Sequence, residues 1–163
     1  IGSINYYQSR LESIKLKILI ISMTSCSGCI STLFSLDIFP QFLEKTKIAY
    51  FPYITDEDKL GSYDIAIIEG CITQEFQIRL LQEVRKITKK IYSLGSCAAF
   101  GGITNLSKKR EGDPLSNYVE IDGIIPGCPP PSNLFGNCLM NLLISKFSFV
   151  FTTLLNARAN LVV

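Results

Sequence analysis

The sequence predicts an α/β domain with a mainly parallel sheet covered by helices on both faces. Three observations carry that prediction. Short β-branched, apolar runs alternate along the chain with longer segments of helical periodicity. The runs are apolar enough to be buried on both sides, as strands of a parallel sheet are. Cysteines follow the strand-like runs, on the side of such a sheet where ligands bind.

The first run, Lys15–Met23 (KLKILIISM), is a buried strand. Ser31–Phe42 is helical, with Pro40 kinking or breaking it. Lys47–Tyr53 (KIAYFPY) is a second strand, placed at the sheet edge because Pro52 has no N–H to give a neighbour. Asp64–Glu69 (DIAIIE) is a third strand, ended by Gly70. Thr73 is the expected N-cap of a helix over Gln74–Ile87, whose apolar residues are Phe76, Ile78, Leu80, Leu81, Val84 and Ile87. Lys90–Leu94 is a fourth strand, with Gly95-Ser96-Cys97 directly after it. Ile103–Leu115 is a polar loop, and Tyr118–Ile125 returns as a short extended piece ending in PGCPPP. Ser132–Phe147 is a last helix. The expected organisation is one domain over residues 1–147 and a C-terminal tail, 148–163, of no assigned role.

At 163 residues the chain buries roughly 70% of its unfolded surface and needs no disulfides to fold. Apolar residues make up 47% and charged residues 18%, the latter below the usual ~25%. That balance points to apolar surface covered by another subunit. The net charge of +2 and the single short run Lys108-Lys109-Arg110, closed by Glu111 and Asp113, give no nucleic-acid surface. No apolar run approaches the ~20 residues of a membrane span. No secretory or twin-arginine signal is present, so a cytoplasmic setting is expected, with any membrane association supplied by partners. The first residue is Ile1 rather than methionine, and the native chain is expected to begin upstream.

Histidine is absent, which removes His–Cys nucleophile pairs, histidine acid–base chemistry and mixed zinc sites. Metal chemistry here rests on sulfur or carboxylate. Six cysteines are present: Cys26, Cys29, Cys71, Cys97, Cys128 and Cys138. The pair in TSCSGC admits a disulfide, a redox dithiol, a zinc site or an iron–sulfur cluster. Structural disulfides do not suit a cytosolic chain of this size. A dithiol uses only Cys26 and Cys29 and leaves the settings of Cys97 (LGSCAAFGG) and Cys128 (IIPGCPPP) without a purpose. A zinc site built from four cysteines draws on two close pairs, whereas this chain has one pair and two single cysteines. Glycines beside Cys97 and Cys128 let the backbone approach a bulky cluster, and freed N–H groups reach its sulfides. The set Cys26, Cys29, Cys97 and Cys128 therefore suits a [4Fe-4S] cluster. Cys138 lies inside the last helix and is expected as a buried core thiol, and Cys71 as a packed thiol near the cluster. An FMN site is compatible with the sheet, but the cysteine loops occupy the edge where its phosphate would sit.

Four stretches in order, TSCSGC, DIAIIEG, GSCAAFGG and DGIIPGCPPP, resemble the small, electron-transfer subunit of nickel–iron hydrogenases, in its cytoplasmic multisubunit form. The resemblance spans roughly Lys15 to Phe147. It implies a flavodoxin-like three-layer fold and a proximal [4Fe-4S] cluster on Cys26, Cys29, Cys97 and Cys128. It implies a Ni–Fe centre in a separate hydrogenase large subunit, and further iron–sulfur or flavin subunits as electron partners. The 20 kDa-like subunit of complex I is related to this family, but carries two adjacent cysteines where this chain has CSGC. No cysteine follows Cys138, so a one-cluster or truncated form is implied. Ile30-Ser31-Thr32 stands where many relatives have an acidic residue, so the proton-transfer role linked to that residue does not carry over. Glu69 in the Glu-Gly pair has two readings: a carboxylate ordering the cluster loops or reaching the large subunit, and an ordinary loop hydrogen bond.

Overall fold

The computed structural model describes residues 15–50, 61–106 and 111–144. The tail 148–163, Tyr53 and Pro52 lie outside them.

Five strands form one sheet: β1 (Leu16–Ser22), β2 (Thr46–Tyr50), β3 (Tyr63–Glu69), β4 (Thr88–Leu94) and β5 (Gly123–Ile125). Their spatial order is β2-β1-β3-β4-β5, and every pairing is parallel. The order reverses between β1 and β3, which opens a crevice at the carboxyl ends of those two strands.

Both faces of the sheet are buried, and successive residues divide between them. Ile18, Ile20, Ile65 and Ile67 face one core, with Leu33, Phe42, Phe135 and Leu139. Leu19, Ile21, Ala66 and Ile68 face the other, with Leu81, Val84 and Ala98. A strand with apolar side chains on both faces cannot be solvated on either, so helices cover each side. One layer holds α1 (Gly28–Phe34), α2 (Phe39–Lys45) and α5 (helical residues 132–144). The other holds α3 (Glu75–Ile87) and the short α4 (Gly95–Phe100). This is the three-layer architecture expected from the sequence.

Three local expectations are corrected. The predicted helix over Ser31–Phe42 is two helices. The first starts earlier, at Gly28, and Pro40 sits in the first turn of the second, where its missing N–H costs nothing. The N-cap of α3 is Gln74, not Thr73: Gln74 and Gln77 cap each other reciprocally through side chain and backbone. Gln77 turns inward to do so, and its Oε1 also accepts the Thr73 N–H at 2.9 Å. The buried face of α3 is therefore Gln77, Leu81 and Val84, and Phe76 is left 60% exposed. The stretch after β4 is α4, and the expected polar loop begins with a 3-10 turn over Gly102–Leu106.

Candidate functional site

Five of the six cysteines lie beyond the carboxyl ends of the strands. Cys26 follows β1 and Cys29 opens α1; Cys71 follows β3, Cys97 lies in α4, and Cys128 follows β5. Cross-strand contacts hold these loops in register. Thr24 and Cys71 exchange backbone hydrogen bonds at 3.1 and 3.0 Å, and Ile72 pairs likewise with Asp113. The N–H and Oγ of Ser96 both donate to the Gly127 carbonyl, at 2.8 and 3.1 Å. That clasp ties the Cys97 segment to the Cys128 segment.

The four expected ligands are near enough to act on one another electrostatically. Burial pushes the Cys29 thiol up to about 12, with Glu69, Cys26, Cys97 and Cys128 adding to the effect. Cys97 is raised first by burial and then by Cys71, Cys128 and Cys26, against a hydrogen bond from the Ile103 backbone that lowers it. Cys29 is buried, Cys97 half-buried, and Cys26 and Cys128 exposed. Among the described residues, no three cysteine, aspartate or glutamate side chains stand close enough to share one metal ion. A [4Fe-4S] cluster places its thiolates on separate iron atoms, so its ligands do not meet at a single point.

Two glycines keep space open beside the inner sulfurs. Gly95 has φ +81°, and a Cβ there would overlap Cys29 Sγ. Gly102 has φ +59°, and a Cβ there would stand 2.5 Å from Cys97 Sγ. The donor set and its surroundings fit an iron–sulfur cluster. The thiols discourage one another's ionisation, and the positive charge of a metal core reverses that balance.

Cys71 is fully buried, and its Sγ donates to the Thr24 carbonyl at 3.5 Å. It lies near enough to Cys97 to raise that thiol. Cys138 lies on α5 beside Tyr92 and Leu142, on the outer side of β4 and β5, away from the other thiols. It is half-buried rather than fully enclosed. Tyr118 donates to Asp113 at 2.6 Å, and Phe100 is 61% exposed.

Glu69, 1% exposed, is held from two sides. Its Oε1 accepts the Cys29 N–H at 3.1 Å and its Oε2 accepts the Ser22 hydroxyl at 3.2 Å. Ser22 Oγ meets Ser25 Oγ at 2.8 Å, and Ser25 Oγ accepts the Ser27 N–H at 3.2 Å. Ser27 itself has φ 61°, an uncommon value for a residue with a side chain. Sequence reasoning singled out Glu69 but missed Ser22 and Ser25. Their only signal was the density of hydroxyl residues in SMTSCS.

Residues 26–142 match the family model described as NADH ubiquinone oxidoreductase, 20 Kd subunit. A subunit of the vhu F420-non-reducing hydrogenase of Methanocaldococcus jannaschii is 29% identical, over 80% of this chain and 57% of its own length. The gamma subunit of coenzyme F420 hydrogenase of Methanosarcina barkeri is also 29% identical, over 76% of this chain and 52% of its own. The chain thus spans little more than half of these relatives. Among solved structures, a chain of an NAD+-reducing [NiFe]-hydrogenase in the H2-reduced state superposes with a TM-score of 0.72 at 21% identity, covering 81% of this chain and 93% of that one. A [NiFeSe] hydrogenase of Desulfovibrio vulgaris Hildenborough superposes with 0.64 at 17% identity, over 80% of this chain and 60% of its own. Both likenesses extend the fold assignment. Among the described residues, no helix is long and apolar enough to cross a membrane.

Proposed function

Because the chain belongs to the NADH ubiquinone oxidoreductase 20 kDa subunit family, we propose that it is an electron-transfer subunit, and specifically the small subunit of a multisubunit nickel–iron hydrogenase. The observation that carries this reading is the gathering of Cys26, Cys29, Cys97 and Cys128 at one sheet edge, around space kept by Gly95 and Gly102. The four cysteines would hold one proximal [4Fe-4S] cluster. That cluster, when bound, supplies one-electron storage between a Ni–Fe centre in the large subunit and further iron–sulfur or flavin subunits of a cytoplasmic assembly.

This chain's own residues do the rest. Glu69, Ser22 and Ser25 hold the Cys26–Cys29 loop, and the Ser96–Gly127 clasp fixes the other two thiols relative to each other. Burial at Cys29 excludes water from the inner side of the site. Phe76, Phe100 and Ile103, 60–79% exposed, lie on elements at the same edge and offer apolar surface to a large-subunit partner.

Anaerobic purification with iron, sulfide, zinc and nickel analysis, and EPR after dithionite reduction, tests the proposal. About four irons and four sulfides per chain with a reduced-cluster signal are expected. Cys97→Ser or Cys128→Ser abolishes or remodels that signal, and Cys138→Ser preserves it. Zinc without sulfide, or loss of iron in Cys138→Ser, overturns the ligand assignment. The family description itself favours a second reading, a cluster-bearing subunit of a complex I-like oxidoreductase without a Ni–Fe centre. A co-purifying large subunit that lacks nickel while the cluster is intact would select it.

A further inference from the structure

Resting on the cluster reading above, we propose that Ser25 is a positioning residue for the cysteine pair, its hydroxyl oxygen holding Ser27 in the left-handed turn that sends Cys26 and Cys29 apart. If α1 started at Cys26, the two cysteines would stand three residues apart on one helix, stacked on the same face. They do not. α1 opens at Gly28, Cys29 is buried in its first turn, and Cys26 stays outside the helix and exposed. Ser27 makes that separation, with φ 61° and ψ 12° at the N-cap.

Serine does not hold this conformation by itself. The left-handed region is disfavoured roughly 5–30-fold for a residue with a Cβ. Hydrogen bonds on both sides of the residue hold it here. The Ser27 carbonyl accepts the Ser31 N–H and the Ser31 hydroxyl, each at 2.9 Å. An N-cap carbonyl is engaged in this way in any helix, so these bonds do not select the left-handed form. The Ser27 N–H donates to Ser25 Oγ at 3.2 Å, and that bond depends on one side chain. Ser25 Oγ is itself placed, 2.8 Å from Ser22 Oγ in the last residue of β1. Whichever serine donates in that contact, the Ser25 oxygen keeps a lone pair for the Ser27 N–H. The turn between the cysteines is thereby tied to a fixed point of the sheet.

Glycine adopts the left-handed region about as readily as the right-handed one. A glycine at position 27 therefore needs no help from Ser25, and the two changes should not add. Full-length chains are loaded anaerobically and their iron and sulfide counted. Iron release to a chelator is then timed, and the EPR line shape of the reduced cluster recorded. Ser25→Ala should release iron about tenfold faster than the wild type, with a broadened or divided EPR signal. Ser25→Thr keeps the oxygen and should match the wild type in both. In the Ser27→Gly background, Ser25→Ala should change the release rate by less than about twofold and leave a single signal.

A loaded Ser25→Ala chain that matches the wild type overturns the inference, since the turn then stands without the hydroxyl. An effect of equal size in both backgrounds overturns it too, because Ser25 would then act elsewhere than at residue 27. A Ser25→Thr chain as labile as Ser25→Ala does the same. Where Ser25→Ala takes up no cluster, the double variant Ser25→Ala, Ser27→Gly decides by iron content: loading supports the inference and failure to load refutes it. A wild-type chain that takes up no cluster refutes the function proposed above, and this inference with it, before any variant is compared.

Discussion

Replacing Gly95 by alanine tests the cradle around the inner sulfurs. Gly95 has φ +81°, a region that costs a residue with a Cβ about 1–2 kcal/mol. The new methyl would overlap Cys29 Sγ and lie 3.3 Å from the Gly127 carbonyl oxygen. Backbone cannot yield there, because Gly127 is clasped by Ser96, so the sulfur must move. Overpacking of that kind adds about 1–3 kcal/mol. The expected loss is about 2–5 kcal/mol, a large share of a domain's ~5–15 kcal/mol total stability. The control is Gly28→Ala. Gly28 opens α1 without a positive φ, and its new Cβ would stand 3.3 Å from Cys26 Sγ, whose side chain is exposed and free to yield. Alanine there gains up to ~1 kcal/mol in helix propensity. Urea denaturation of the metal-free chains gives the stabilities, and iron analysis after anaerobic loading gives occupancy. Gly95→Ala should be strongly destabilised and deficient in iron, while Gly28→Ala should be no less stable than the wild type and keep its iron. Equal behaviour of the two variants would refute the claim that Gly95 is there to make room for Cys29.

Two further outcomes are expected. Cys71→Ala should keep the full iron complement, because the Cys71 thiol is committed to the Thr24 carbonyl, and should cost about 1 kcal/mol; a drop of about one iron per chain would make Cys71 a ligand. Asp122 is raised by burial, but the Ile91 N–H and Arg85 outweigh that and hold its carboxyl below its ordinary value of 3.8. A depressed carboxyl stabilises the fold above its unfolded value and loses that contribution as pH falls through its folded one, so the Asp122 contribution fades as pH falls below 3.8. The Arg85 contact, at 2.7 Å, is partly exposed, so Asp122→Asn should cost only about 0.5–1 kcal/mol at neutral pH and flatten stability against acid; identical acid titrations of the two chains would contradict this.

How much of this was legible in the sequence differs by element. β1 and β3 were placed within a residue or so at each end, because Ile and Leu on both faces leave no other element for so short a run. The break between α1 and α2 was misjudged because Pro40 is equally at home ending a helix and starting one, and only packing decides. The α3 boundary turned on whether Thr73 or Gln74 caps it. A threonine outranks a glutamine by propensity, but Gln77 reaching back reversed the choice. α4 escaped notice because six residues flanked by glycines carry no periodicity. At the site, the gathering of five cysteines beyond the carboxyl ends of the strands was legible, because they follow strand-like runs in the sequence. The Glu69 network was not, since Ser22 and Glu69 are joined across adjacent strands and only the β1–β3 register, Ser22 opposite Glu69, brings them together.

The clasp between Ser96 and Gly127 bears on biogenesis. On a ribosome the Cys26–Cys29 loop emerges first, and β5 with Cys128 emerges near the end of the described chain. β5 is only three residues long and is anchored along a single neighbour, β4, with Asp122 bonded to the Ile91 N–H at its entrance. So short an edge strand has little stability of its own and depends on the sheet it pairs with. Cys128 is therefore placed beside the Cys97 segment only once β5 has paired with β4. Under the proposed ligand assignment, iron and sulfide delivered before β5 pairs with β4 would meet an incomplete rim.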